Sequence, residues 1–190
     1  MQARPGRPRS EETRTRILAA AIAELEERGY AALTIEGIAT RAGAGKQTIY
    51  RWWPSKADVV LEAILELAAA RIPEPDTGSL RGDLDAFLAA TFRQRGQRLV
   101  LIGLMAEALL DPVFHDQFRD RFLFARRAAL RTVLERAQAR GELGPGVDPE
   151  LLLDVVFGVL WYRLMLDHGA LTEAAGRELS ALVVRAASPH

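Results

Sequence analysis

Residues 34–56 read TIEGIATRAGAGKQTIYRWWPSK, and this stretch most restricts what the chain can become. Apolar side chains recur at helical spacing on both sides of Gly43: Ile35, Ile38, Ala39 and Ala42 before it, Ile49 and Trp53 after it. Thr34 can cap the first helix, Gly43 makes the turn that ends it, and Pro54 stops the second. The pattern therefore predicts a helix from Thr34 to the turn and another over residues 44–53. Small residues at the turn let the two helices approach closely, which is the geometry of a helix-turn-helix.

With Ile35, Ile38, Ile49 and Trp53 turned inward, Lys46, Gln47, Thr48, Tyr50 and Arg51 are left on the outside. Their chemistry suits the DNA major groove. Lys46 adds charge to a helix start whose N–H groups already attract phosphate. Thr48 and Tyr50 offer hydroxyls to phosphate oxygens. Gln47 can bond adenine bidentately, and Arg51 can bond the O6 and N7 atoms of guanine. Thr34 and Lys56 stand at the starts of the flanking helices, where backbone N–H groups also point at phosphates.

Residues 10–70 resemble the N-terminal domain of the tetracycline-repressor (TetR) family of bacterial transcriptional regulators. The resemblance lies in an opening helix and Gly29-Tyr30, Thr34…Ile38-Ala39…Ala42-Gly43, Lys46…Thr48-Ile49-Tyr50-Arg51, and Pro54-Ser55-Lys56. It implies that Thr34, Lys46, Thr48, Tyr50 and Lys56 contact phosphates and that Gln47 and Arg51 reach bases. Three positions depart from the commonest pattern. Gly37 stands where a charge is frequent, Ala44-Gly45 replaces the usual Val-Ser, and Trp52-Trp53 replaces the frequent His-Phe.

The chain has no net charge, but residues 1–56 carry 10 Lys/Arg against 6 Asp/Glu, so a +4 head precedes a −4 body. The first nine residues, MQARPGRPR, hold Arg4, Arg7 and Arg9 and no acid, and are expected to form a flexible basic arm. Gly6-Arg7-Pro8-Arg9 resembles the core of minor-groove AT-hook segments, where arginine meets the negative potential of a narrow groove. Ser10 is expected to cap the first helix and Gly29 to end it.

The expected organisation is a helix-turn-helix DNA-binding domain over 10–56, a connecting helix over 57–71, and a helical dimerisation and effector-binding domain over 80–190. The Pro- and Gly-rich segment 72–82 marks the boundary. Helices are expected near 80–95, 97–110, 113–140, 149–168 and 172–186, with breaks at Asp111-Pro112 and between Gly141 and Pro149. No alternating strand pattern occurs, so the fold class is all-α with about nine helices.

Composition excludes several function classes. The chain of 190 residues lacks cysteine, which removes disulfides, thiolate metal sites and cysteine nucleophiles and points to a reducing cytoplasm. The start of the chain lacks the apolar stretch of a signal peptide, and Leu99–Leu110 is too short to span a bilayer. No serine lies in a nucleophile elbow, and His115, His168 and His190 show no paired-ligand spacing. Gly43-Ala44-Gly45-Lys46 lacks the glycine and the Ser/Thr that a phosphate-binding P-loop requires. Neither an enzymatic activity nor a cofactor or metal is expected.

The family resemblance implies a homodimer on a palindromic operator, its last two helices pairing with their symmetry mates. Leu152, Val156, Val159, Leu160, Leu179, Leu182 and Val183 are the expected interface, since apolar residues cover more than one face of 149–168. Candidates for the lining of a small-molecule pocket are Phe87, Phe92, Leu104, Met105, Phe118, Phe122, Phe157, Trp161 and Met165. Glu107 and Arg163 interrupt apolar runs and must reach water, each other or a ligand. The expected function is a repressor released by a hydrophobic or aromatic effector. A ligand-independent DNA-binding regulator, and a helical small-molecule-binding protein without DNA binding, are the alternatives.

Overall fold

The computed structural model describes residues 7–69, 74–92 and 98–189, and no strand occurs among them. The helices are α1 (Arg7–Ala32), α2 (Ile35–Ala42), α3 (Lys46–Tyr50), α4 (Lys56–Ala69), α5 (Leu80–Phe92), α6 (Arg98–Leu110), α7 (Pro112–Phe118), α8 (Phe124–Ala139), α9 (Pro149–Leu166) and α10 (Glu173–Ala187). One π-helical turn, Arg119–Leu123, joins α7 to α8, so the expected helix over 113–140 is a single run carrying a bulge.

The helices form two compact units: α1–α4 with α6 and α7, and α5 with α8–α10. Residues 99–122 thus pack with the N-terminal helices, although they lie beyond the boundary expected at 72–82. Gly103 is notched against the ring of Tyr30, where a Cβ would come within 2.2 Å of the ring, and α7 packs on α4. Within the segment, Phe114, Phe118 and Phe122 stack on one another, with ring centroids 6.2 and 5.2 Å apart. Chain proximity in sequence did not reveal the contacts with the N-terminal helices.

Local chemistry sets the helix ends. Asp111 caps α7 by accepting from the N–H groups of Val113 and Phe114, and Pro112 takes the first turn. Asp148 and Thr172 cap α9 and α10 in the same way. The start of α1 differs from expectation: the helix begins at Arg7, with Pro8 in its first turn, so Ser10 lies inside it and is not its N-cap. At its other end Gly29 breaks the helix as expected, with φ 73°, ψ 169°, and a short helical stretch follows to Ala32, with Tyr30 buried in the core.

In the second unit, Leu84, Leu88, Leu130, Val133, Leu134, Leu153, Val156 and Val183 form one core. Asp83 is fully buried at the start of α5. It accepts from the Thr77 N–H (2.6 Å), the Thr77 hydroxyl (2.8 Å) and Arg140 Nη2 (3.2 Å). Burial alone would raise its pKa, but the Thr77 bonds and Arg140 outweigh it and hold the carboxyl below the usual range. Glu142 Oε2 accepts from the Leu80 N–H at 2.7 Å and closes the same helix end.

Of the residues expected at a dimer interface, Leu152, Val156, Leu160, Leu179 and Val183 are buried in their own unit's core. Val159 is half-buried, and only Leu182 is exposed. The outward apolar stripe of α9 is Leu151 and Tyr162, with Met165 and Leu166 at its end, while Val155 is half-buried against the core. An α9 that is apolar around most of its circumference gives no sequence signal for which face turns inward.

Asp83→Ala is expected to destabilise the protein by about 3 kcal/mol, because it leaves Arg140 and Thr77 without their acceptor. Because the folded-state pKa is depressed, that contribution is present above the unfolded value of about 4 and fades as pH falls through the lower folded value. Denaturant unfolding of both proteins at pH 7 and at pH 3 should show the gap narrowing in acid.

Candidate nucleic-acid interface

The site is built by α2, the turn after it, α3 and the start of α4. Thr34 is extended and its Oγ1 accepts from the Gly37 N–H at 3.1 Å, which starts α2. Ile35, Ile38, Ala39 and Ala42 are buried on one face. Gly43 then adopts φ 60°, ψ 39°, a left-handed conformation that few side chains tolerate, and its N–H returns to the carbonyls of Ala39 and Thr40.

The helix α3 is shorter than the expected 44–53. Gly45 is extended at its start and supplies no side-chain cap, a consequence of Ala44-Gly45 standing where a capping hydroxyl is common. At its far end Trp52 and Trp53 turn back onto the Ile49 carbonyl, at 3.0 and 2.9 Å, before Pro54. The residue before a proline disfavours helix, which fixes the exit. Ile49 and Trp53 are buried and hold α3 in place. Ser55 and Asp58 form a capping box for α4, with Ser55 Oγ donating to Asp58 Oδ2 at 2.6 Å.

This arrangement leaves Thr34, Lys46, Gln47, Tyr50 and Arg51 exposed, with Thr48 and Lys56 half-buried beside them. Each of these seven belongs to the same helix-turn-helix segment. Lys46 Nζ lies 2.8 Å from Glu36 Oε1, and this bond raises the lysine pKa and lowers that of the glutamate. Lys56 Nζ sits 4.7 Å from the Tyr30 ring centre and 3.4 Å from the carbonyls of Tyr30 and Leu33. Arg51 lies 5.1 Å over the Trp52 ring. Arg4 lies outside the described residues. Arg7 and Arg9 fall in the first turn of α1, and their side chains are outside the described set.

Gly37 has a structural explanation that sequence did not supply. Glu24 of α1 is buried and bonded to Arg41 Nε (2.8 Å) and Arg28 Nε (3.2 Å). A Cβ at position 37 would stand 2.8 Å from Glu24 Oε2. Sequence reading also missed the contribution of α1. Ser10, Thr13 and Arg16 line a cleft with Gly43, Ala44, Gly45, Thr48, Arg51 and Trp52. The only signal was their helical spacing along α1.

The candidate pocket residues divide between the units. Leu104, Met105, Glu107, Phe118 and Phe122 belong to the first, and Phe87, Phe92, Phe157, Trp161, Arg163 and Met165 to the second. Both charged intruders meet a protein partner. Glu107 accepts from the Tyr30 hydroxyl at 3.4 Å, and Arg163 Nη1 donates to the Ala170 carbonyl at 3.2 Å. Burial first, and then the Glu107 carboxylate, push the Tyr30 pKa up. Met165 is exposed. Among the described residues no cluster of His, Asp or Glu could hold a metal ion, and no helix is long and apolar enough to cross a membrane.

Comparison with known proteins decides the family. Residues 17–63 match the model of bacterial regulatory proteins of the tetR family, and residues 74–183 match the tetracyclin repressor-like C-terminal domain. The chain belongs to the tetR family of bacterial transcriptional regulators. It is 36% identical to the uncharacterized HTH-type transcriptional regulator YdeS of Bacillus subtilis, over 94% of this chain and 91% of that one. It is 33% identical to the DNA-binding transcriptional repressor TetR of Mycobacteroides abscessus, over 87% and 88%. The solved structure of the TetR family transcription regulator SCO0332 superposes with a TM-score of 0.77 at 31% identity, covering 94% of this chain and all of the other.

Glu36→Gln is expected to tighten DNA binding about two- to five-fold, because an exposed ion pair of that worth no longer competes with phosphate for Lys46. A titration of labelled operator at low salt checks this; unchanged or weaker binding would show that Lys46 does not meet the DNA.

Proposed function

We propose that this TetR-family regulator binds a palindromic operator as a homodimer, represses transcription and is released by a small apolar or aromatic molecule. The observation that carries the DNA half is the exposed set Lys46, Gln47, Tyr50 and Arg51, with half-buried Thr48 beside them, on a helix anchored by buried Ile49 and Trp53. Phosphate contacts by Thr34, Lys46, Thr48, Tyr50 and Lys56 set position, and base contacts by Gln47 set sequence. Arg4, Arg7 and Arg9 extend the reach toward the minor groove. A cytoplasmic location follows from this role.

Dimerisation is assigned to the outward stripe of α9 with Leu182 of α10. A two-fold axis there presents two identical heads to the two half-sites of a palindrome. Effector binding is assigned to the second unit, whose Phe87, Phe92, Phe157 and Trp161 supply apolar surface. One regulator of this fold, 23% identical with a TM-score of 0.68, has been solved in complex with choline. A ligand releases DNA only if it prefers the non-operator conformation. Within the first unit α7 packs on α4 and α6 on Tyr30, which gives a route to Lys56.

A ligand-independent regulator is the second reading. Phe87 and Phe157 meet edge to face with centroids 6.4 Å apart, and such rings fill space with each other. Thermal shift against a panel of apolar compounds separates the two readings: a stabilising compound that also lowers operator affinity supports release.

The protein is expected to bind DNA upstream of its own gene in preference to an unrelated fragment, with a footprint over an inverted repeat. Equal binding to both, collapsing with salt, would leave only nonspecific phosphate attraction. The double variant Leu151→Glu/Leu182→Glu should sediment as a monomer at micromolar concentration with its unfolding temperature little changed, because both side chains are exposed. A dimer surviving that change would move the interface elsewhere.

A further inference from the structure

In the first unit most described cationic side chains have carboxylate partners. Arg14 pairs with Glu62 and Glu66, Arg28 and Arg41 with Glu24, Lys46 with Glu36, and Arg121 with Glu62. Arg16 of α1, Arg51 at the exit of α3 and Lys56 have no carboxylate within ion-pair distance among the described residues; Lys56 is half-buried against Tyr30, whereas Arg16 and Arg51 are exposed. These two guanidinium groups also line one cleft, of about 410 Å³, between α1 and the Gly43–Gly45 turn.

The composition of that cleft selects its occupant. Its wall holds no acidic residue, and Thr13 and Thr48 bring hydroxyls to it. The neighbouring pocket on the other side of Trp52 is the control. There Arg14 and Arg121 are accompanied by Glu11, Asp58 and Glu62, so acidic groups outnumber the two arginines. Two of the three described cations of this unit without a carboxylate partner thus share the cleft beside the recognition turn. Arg51 is held over the Trp52 ring, which presents its planar fork in one orientation. Such a fork matches phosphate oxygens bidentately, which a lysine cannot do.

Resting on the DNA-binding reading above, we propose that this cleft seats one phosphodiester of the operator backbone. Arg16 and Arg51 grip it, with Thr13 and Thr48 beside them. Arg51 then acts as a backbone clamp and not as a guanine reader, and α1 becomes part of the DNA-binding surface. Sequence discrimination passes to Gln47 and the other exposed side chains of α3. Arg51 adds affinity for any duplex, because phosphate contacts carry no direct sequence information.

The test uses the full chain, an operator obtained by selection from random duplex DNA, and single-base-pair variants of that operator, each titrated over a series of salt concentrations. Arg16→Ala and Arg51→Ala are each expected to weaken binding to every duplex alike by about ten-fold. Each should flatten the dependence of log affinity on log salt by about one unit, leaving the ranking of base-pair variants unchanged. Arg51→Lys should keep the salt slope and still lose affinity. Neither arginine is ion-paired among the described residues, so unfolding temperatures should stay near that of the wild type. Relaxed discrimination at one base pair in Arg51→Ala, with an unaltered slope, would restore Arg51 as a base reader and overturn the proposal. Unchanged affinity in Arg16→Ala would overturn the seat itself. A wild-type chain that enriches no duplex even at low salt would overturn the DNA-binding reading beneath it, a result distinct from variants that behave like wild type.

Discussion

A helix of five residues cannot hold its own conformation in water, because nucleation costs more than so few hydrogen bonds return. The recognition helix Lys46–Tyr50 is that short. It exists because Ile49 and Trp53 are buried and because Gly43 delivers the chain at the angle they require. Every side chain proposed to meet DNA from this helix depends on those three residues. The buried anchors are invisible to the ligand, yet they set where Gln47, Thr48 and Arg51 stand.

Electrostatics organises the same unit at a second level. Glu24 is buried between α1 and α2, and a carboxylate there is tolerated only with the cationic partners Arg28 and Arg41. Gly37 leaves the space for it. Glu62 collects Arg14 and Arg121 from α1 and from the π-helical turn. Pairing of this kind neutralises the interior of the head, and the exposed arginines left without a carboxylate among the described residues, Arg16 and Arg51, line the cleft beside the recognition turn. The +4 charge of residues 1–56 is therefore a poor guide to where DNA is met; the distribution of partners is a better one.

The second unit shows a different economy of side chains. Its helices are rich in Leu and Val, and five of the seven residues first assigned to a dimer interface are core. The helix α9 presents apolar residues in nearly every direction, so periodicity carries no information about which face a neighbour covers. Packing against α8 and α10 settles the matter and leaves Leu151, Tyr162 and Leu182 outward.

The amino-acid sequence by itself determined the all-helical class, the helix-turn-helix, the proline, glycine and Asp/Thr stop and start signals, and the family. These are local: a cap, a turn and an apolar repeat act within a few residues, so the chain states them directly. Only the tertiary structure decided that residues 99–122 pack with the N-terminal helices, that Tyr30 just past the Gly29 kink is buried, that α3 is limited to Lys46–Tyr50, and that Arg16 shares a cleft with Arg51. Those outcomes depend on pairs of residues far apart in the chain. The Gly103 notch that receives Tyr30 is one such pair, and neither residue announces the other until the backbone has brought them together.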